Sequence, residues 1–350
     1  MIILQYTGIV LGAIVGAYVI FILFMGLLPR KPVPAQPLEK AAPAAGEATA
    51  TASAARQEVS FEVNGTAISA WLFLPEERSG PAPCIVMGHG LGGTKSAGLD
   101  AYAAHFQKAG FAVLAFDFRH LGQSEGEPRQ LIWIPYQQED YAAAIAYARS
   151  RDEVDAGKIA LWGTSLSGGH VIVAAARDHD VACVVSQVPL LEGDAGGMEV
   201  IKLVGLKHLL RMAFGHGVRD MVRSWFGLSA HKVPIVGKPG TIAILADAGA
   251  WDAFCQLASD DLVNEACARI IIRMDKYQPI KHADKIRCPV LLQGCELDIG
   301  VPPSIIEKAQ KRLGERAEVI RYPIDHFDIY LGDHFEQAVA DQVAFFRKHL

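Results

Sequence analysis

The segment Gly163-Thr164-Ser165-Leu166-Ser167-Gly168-Gly169 follows an apolar run, Ile159-Ala160-Leu161-Trp162, and opens a helical stretch. A serine at such a strand-to-helix corner presents its hydroxyl at the rim of a sheet, and the tight turn requires small residues two before and two after it. Ser165 has Gly163 before it and Ser167 after it. Ser167 half-matches the same pattern, with Ser165 before and Gly169 after, but it falls inside the helix. We therefore take Ser165 as the nucleophile. A serine hydroxyl is weak until a base removes its proton. The base belongs after the last strand, where Tyr322-Pro323-Ile324-Asp325-His326 places His326; His334, at the start of the next helix, is the rival. The orienting acid belongs after the preceding strand, where Leu291-Leu292-Gln293-Gly294-Cys295-Glu296-Leu297-Asp298 offers Asp298, with Glu296 as the rival and a plain surface carboxylate as the other reading of either.

Acyl transfer also needs donors for the oxyanion. The backbone N–H of Leu166, at the helix start, is one candidate. The other is the N–H of Leu91, in the loop His89-Gly90-Leu91 after the first buried strand. Each such donor is worth about 3–4 kcal/mol in the transition state. His89 reads as a brace for the loop rather than a reacting group.

These residues need a scaffold. Phe61-Glu62-Val63 and Ile68-Ser69-Ala70-Trp71 alternate around Asn64-Gly65, which predicts a hairpin. Apolar runs at Cys84–Met87, Phe111–Phe116, Ile159–Trp162, Ala182–Ser186, Val290–Gln293 and Glu318–Tyr322 read as strands. Helical patterns over about 97–109, 136–150, 166–176, 303–313 and 334–348 separate them. Continuous apolar strands alternating with helices predict an α/β fold: a mostly parallel central sheet with helices on both faces. The stretch of about 191–283 breaks the rhythm with amphipathic runs such as Val200-Ile201-Leu203-Val204-Leu206-Leu209-Leu210 and no clear strand. It is expected as a helical cap insertion over the carboxyl edge of the sheet, with a surplus apolar face that meets substrate.

Five stretches carry a wider likeness: Gly88-His89-Gly90-Leu91-Gly92-Gly93, Asp117-Phe118-Arg119-His120-Leu121-Gly122-Gln123-Ser124, the Ser165 corner, Gly294 to Pro302, and His326-Phe327-Asp328-Ile329-Tyr330. Through them the chain resembles the α/β-hydrolase superfamily. Within it, the chain is similar to the branch holding dienelactone-hydrolase-like, acetylxylan-esterase-like and Xaa-Pro dipeptidyl-peptidase-like proteins and the fungal polyketide transferases. The order Ser…Asp…His fits that fold and not the other orders of this triad. His120 stands where Gly is common, and Ser167 replaces the second elbow Gly; neither removes a catalytic group. The resemblance implies a serine hydrolase that cleaves a carboxylic ester or thioester through an acyl-enzyme. Peptidase and acyltransferase chemistry on the same triad are the alternatives, because the branch is diverse in substrate.

Two readings of other classes compete. Gly88, Gly90 and Gly93 spell G-x-G-x-x-G after a strand, with Asp117 ending the next, which imitates a dinucleotide fingerprint of an oxidoreductase. Thr94 to Ala97 separate Gly93 from the helix, so the helix N-terminus would not meet a pyrophosphate. A catalytically dead, tethered binding protein is the other. No cofactor is expected, and the absence of H-E-x-x-H or a Cys/His cluster implies no metal. The formal net charge of -5 and the lack of any Lys/Arg stripe argue against a nucleic-acid partner. The six cysteines are scattered, and Cys84 and Cys183 sit in strand-like runs as small core hydrophobes.

The chain's start has a separate logic. Ile2 to Leu28 is nearly all apolar, with only Gln5 and Thr7 clearly polar. At 1.5 Å per residue such a helix spans about 40 Å, more than the ~30 Å hydrocarbon core, so residues 1–28 are expected to form a tilted transmembrane helix. No Lys or Arg precedes the run, and it is too long for a signal-peptide core. Arg30 and Lys31 follow it, which predicts a single-pass anchor with the catalytic domain on the cytoplasmic side. Residues 29–57 read as a disordered Pro/Ala-rich linker, and 58–350 as the hydrolase domain.

Overall fold

Every second residue of the apolar runs turns to the opposite side, and this period builds one sheet with two cores. The computed structural model describes residues 16–24, 26–28, 32–38, 56–77, 79–194, 201 and 205–350. Strands β1 (Arg56–Val63), β2 (Thr66–Phe73), β3 (Ala82–Gly88), β4 (Ala112–Phe116), β5 (Val154–Thr164), β6 (Val181–Gln187), β9 (Val290–Cys295) and β10 (Ala317–Tyr322) lie in the order β1-β2-β4-β3-β5-β6-β9-β10. β1 pairs antiparallel with β2 and β2 antiparallel with β4; the remaining neighbours in this sheet are parallel. The hairpin between them turns at Asn64 (φ 51°) and Gly65 (φ 79°), the left-handed pair that the Asn-Gly signal calls for.

Cys84 and Val86 of β3 and Leu114 and Phe116 of β4 face one core. It is closed by helices α2 (Ile134–Arg149), α3 (Leu166–Arg177) and α7 (Pro303–Leu313). Ile85, Met87, Val113 and Ala115 face the other, closed by α1 (Leu99–Lys108) and α8 (Gly332–His349). Large side chains such as Trp162, Phe116 and Phe346 are fully buried, each contributing about 1.5–3 kcal/mol by removal from water. The free cysteines Cys84, Cys183, Cys267, Cys288 and Cys295 are buried with them, and burial pushes the Cys84 thiol up to about 12.

Parallel strands end at one edge, so the loops after β3, β4, β5, β9 and β10 converge there. The first two are locked by a buried ion pair. Lys95 Nζ meets Asp117 Oδ2 at 2.7 Å, both side chains wholly buried. Asp117 also accepts the N–H groups of Lys95 (2.6 Å) and Gln123 (3.0 Å), while Lys95 donates to Ser69 and Gln123.

Between β6 and β9, among the described residues, stand α4 (Leu206–Met212), a π-helical turn (Ala213–Gly217), α5 (Val218–Trp225), α6 (Ala248–Gln256) and three 3-10 segments. Two two-residue strands, β7 (Lys232–Val233) and β8 (Ala266–Cys267), pair antiparallel there. The sequence predicts no strand in this region, because two residues are too few for alternation to register. Residues 195–200 and 202–204, which include the start of the expected helical run at Val200, lie outside the described residues. Asp220 ties α5 to the next layer, bonding Arg269 Nε at 2.6 Å and the His231 N–H at 2.7 Å.

Residues 1–15 of the expected membrane helix lie outside the described residues, as do Met25 and 29–31. Residues 16–24 are helical. Among the described residues, no helix is long and apolar enough to cross a membrane. Most of the expected linker, 39–55, is likewise outside them. Residues 32–38 differ from a free tether. Val33 and Leu38 pack against buried clusters, and the Gln36 carbonyl accepts from Asn264 at 3.3 Å.

Removing one partner of a buried pair leaves an uncompensated charge, which costs about 3–5 kcal/mol. Lys95→Met should lower the urea midpoint by that equivalent. The double variant Lys95→Met/Asp117→Leu should recover most of the loss. An unchanged midpoint in the single variant would show that the pair carries no structural weight.

Candidate active site

β5 runs straight into α3 through one residue, and that residue is Ser165. Its backbone has φ 54° and ψ -115°, a conformation that side chains other than glycine rarely adopt. The corner is held by Ser165 N–H to Gln187 C=O (2.9 Å) and Leu190 N–H to Ser165 C=O (2.8 Å). Gly163 has no room for a side chain, since a methyl group would overlap the Ser167 carbonyl. The rival Ser167 is fully buried, and its hydroxyl donates to the His89 carbonyl. Its proton is committed to the loop, not to a reaction.

The loop after β3 lies against this corner. A Cβ on Gly90 would stand 3.3 Å from Ser165 Cβ, a tighter contact than most side chains make, so the loop backbone lies close against the corner. The turn from Gly90 to Gly93 (N···O 3.3 Å) carries Leu91 at its apex. Leu166 is the first residue of α3, and the first N–H groups of a helix have no partner within it. His89 braces the loop: its Nδ1 lies 2.9 Å from Gly90 O, and its ring meets Phe118 edge-on. Burial lowers its pKa.

The loops after β9 and β10 bring the predicted acid and base together. Asp298 Oδ2 lies 2.5 Å from His326 Nδ1, with Asp298 1% and His326 13% exposed at their side chains. Burial alone would raise the Asp298 pKa. The His326 charge, its hydrogen bond and the Val301 N–H (2.7 Å) outweigh burial and hold the carboxyl below its usual range. Burial would lower His326, and the Asp298 charge and hydrogen bond, with Asp325 and Asp247, raise it instead. The rivals Glu296 and His334 are exposed.

Several residues here are not singled out by the sequence. Thr164 Oγ1 is 2.5 Å from the Tyr330 hydroxyl, which joins the residue before Ser165 to the turn after His326. Gln187 donates to Thr164 (3.1 Å) and Tyr102 (3.1 Å), and accepts from Gln342 (2.7 Å). Gln342 also donates to Gln293 (2.6 Å) and accepts from Trp162 (2.9 Å). The available signal was a glutamine near the end of two apolar strands. Asp247 caps α6 through the Ala250 N–H (2.8 Å). From the insertion, Ile235 packs on Gly92, Leu257 on Gly98 and Phe254 on Phe327.

Asp117, the acid of the apparent dinucleotide fingerprint, is consumed by Lys95. The α1 helix starts only at Leu99, after Gly93. Neither a pyrophosphate nor a ribose is served by that arrangement. Among the described residues, no three His, Cys, Asp or Glu side chains converge as a metal would need.

With that geometry established, the chain can be set beside known proteins. The family profile of X-Pro dipeptidyl-peptidase (S15 family) matches residues 64–200. The quorum-quenching protein AidA of Acinetobacter baumannii is 36% identical over 293 residues, 83% of this chain and 94% of that protein. The thiohydrolase aneE of Aspergillus aculeatus is 41% identical over 136 residues, 39% of this chain and 42% of its own. The crystal structure of the α/β hydrolase GrgF from Penicillium sp. sh18 superposes with a TM-score of 0.69 at 24% identity, over 84% of this chain and 99% of that one.

A base must be neutral to accept a proton. Because three carboxylates raise His326 above its ordinary 6.5, ester kcat/KM should rise with pH through a midpoint above 6.5 and fade below it. Asp298→Asn should move that midpoint down and reduce kcat by about 10⁴-fold. An acid limb that stays in place in the variant would remove His326 from the role of base.

Proposed function

The chain belongs to the α/β-hydrolase family, and on that premise we propose that it is a serine hydrolase that cleaves a carboxylic ester or thioester through an acyl-enzyme on Ser165. The observation that carries this reading is the 2.5 Å Asp298–His326 bond, together with a serine in a left-handed corner whose neighbour Thr164 meets Tyr330, of the turn after His326, at 2.5 Å. His326 takes the Ser165 proton as the hydroxyl attacks the carbonyl. Asp298 keeps the imidazole oriented and stabilises its charged form. The N–H groups of Leu91 and Leu166 receive the negative charge that develops on the carbonyl oxygen. His326 then returns the proton to the departing alcohol or thiol, and water releases the acyl group by the same route. The thiohydrolase relative supports the thioester half of the reading.

The residues between β6 and β9 serve as a cap. Ile235, Leu257 and Phe254 press on the loops that carry Leu91 and His326, which favours substrates with apolar acyl or alcohol groups. Residues 1–28 serve as a single-pass anchor with the catalytic domain on the cytoplasmic side. The apolar run and the following Arg30 and Lys31 support this.

Turnover of p-nitrophenyl esters tests the chemistry. Ser165→Ala should lose about 10⁶-fold in kcat and all labelling by a fluorophosphonate probe. Ser167→Ala should retain activity and lose only about 1 kcal/mol of stability. The reverse pattern would move the nucleophile to Ser167. Along acetyl, butyryl and octanoyl esters, each CH₂ should add about 0.8 kcal/mol of transition-state binding, close to a fourfold gain, until the pocket is full. A strict acetyl preference would replace the apolar pocket with a small polar one.

Protease treatment of intact cells should leave the domain uncut, and permeabilisation should expose it. Digestion from outside would reverse the orientation.

A further inference from the structure

α4, the π-helical turn and α5 follow one another without a break from Leu206 to Trp225. Residues four apart share one face of a helix. Leu206, Leu210 and Phe214 are so spaced, and they are 55, 47 and 46% exposed. At the far end Trp225, Phe226 and Leu228 are 66, 55 and 43% exposed. Other residues of the same helix, Met212, Arg219, Asp220, Met221 and Val222, are buried. One side therefore packs inward, and a second apolar stripe faces outward. The surplus apolar face expected beneath the cap lies, on this helix, on its outer surface. Lys207 and Arg211 are exposed on the same helix. Aromatic and aliphatic side chains beside lysine and arginine make up the composition of helices that lie in a lipid interface.

The start of the chain decides what the stripe meets. The helical residues 16–24 carry exposed Tyr18, Val19, Ile20, Phe21 and Phe24, and Leu27 and Leu28 after them are exposed as well. This segment ends on α5 itself. A methyl group on Gly26 would overlap the Val222 side chain, and the Arg219 guanidinium donates to the Leu28 carbonyl. The segment read as the anchor thus meets the domain at the helix that bears the exposed stripe. A helix held there cannot drift more than a few residues' length from the lipid surface.

We propose that Leu206, Leu210, Phe214, Trp225, Phe226 and Leu228 form a membrane-docking surface. It lies among the headgroups of the bilayer that holds the N-terminal segment, with Lys207 and Arg211 drawing anionic lipid. The inference rests on reading residues 1–28 as a membrane anchor. It makes the insertion the part of the enzyme pressed to the lipid.

Trp225 reports on this directly, because Trp71, Trp162 and Trp251 are buried and Trp133 is half-buried. The full chain is reconstituted in vesicles of phosphatidylcholine and phosphatidylglycerol whose acyl chains are brominated near the headgroup. The emission lost on Trp225→Phe substitution should be blue-shifted and quenched by bromine. Equal quenching of wild type and variant overturns the docking surface. So does Trp225 emission that is blue-shifted but unquenched, which would mean that protein covers the stripe, whether residues 1–15 or a second copy. Carbonate extraction of the same vesicles reads the anchor separately. A chain that resists carbonate with Trp225 unquenched keeps the anchor and loses the docking surface. A chain stripped by carbonate, with Trp225 quenched before stripping, loses the anchor and keeps the docking surface.

Discussion

The structure depends on one strained corner. Ser165 sits at φ 54°, where an L side chain costs of order 1–3 kcal/mol, and that cost persists only when the surroundings over-determine it. Three contacts do so: the Gln187 carbonyl on its N–H, the Leu190 N–H on its carbonyl, and the Gly163 backbone pressed to the Ser167 carbonyl. The return is position. The corner starts a helix at the next residue, so the proposed nucleophile Ser165 and the proposed oxyanion donor Leu166 arise from one turn. Every other element of the site is placed relative to it.

A saturated polar network runs beneath the corner. Trp162, Gln187, Gln293 and Gln342 are all buried, and each amide of Gln187, Gln293 and Gln342 finds partners for its donors. A buried network is favourable only when every member is satisfied, and it then fixes geometry more strictly than an apolar contact. Here it joins β5, β6 and β9 to α8 and reaches Thr164 and Tyr330 on either side of the site. The Asp298–His326 pair, the proposed acid and base, is held in the same way, with Asp298 pinned by the Val301 N–H as well as by His326.

The insertion is built by different means. Its layers are joined by a buried Arg269–Asp220 pair and by short strands, with two sets of apolar residues pointing opposite ways. One set, through Ile235, Leu257 and Phe254, fits against the catalytic loops. The other is exposed along α4 and α5. His120 shows a smaller compromise. It adopts φ 72°, a left-handed conformation that favours glycine, and its ring stacks on Tyr136 at 6.0 Å.

What the sequence by itself determined follows local periodicity and turn chemistry. Continuous apolar runs set the parallel strands, alternation around Asn64-Gly65 the hairpin, and Gly163-x-Ser165 the corner. The order Ser165, Asp298, His326 marked the fold's edge loops. The strand, hairpin and corner signals are legible because each depends on residues within a turn or a strand of one another. Only the tertiary structure decided the rest. It committed Ser167 to the His89 carbonyl, separated Asp298 from Glu296 by burial, and turned the apparent dinucleotide acid Asp117 into the partner of Lys95. It also brought Asp247 within electrostatic reach of His326, from a point 79 positions earlier in the chain, and turned Leu206, Leu210 and Phe214 outward. Hydrogen-bond partners, burial and the outward or inward sense of an amphipathic helix arise between segments distant in sequence, and no local pattern encodes which segment will arrive.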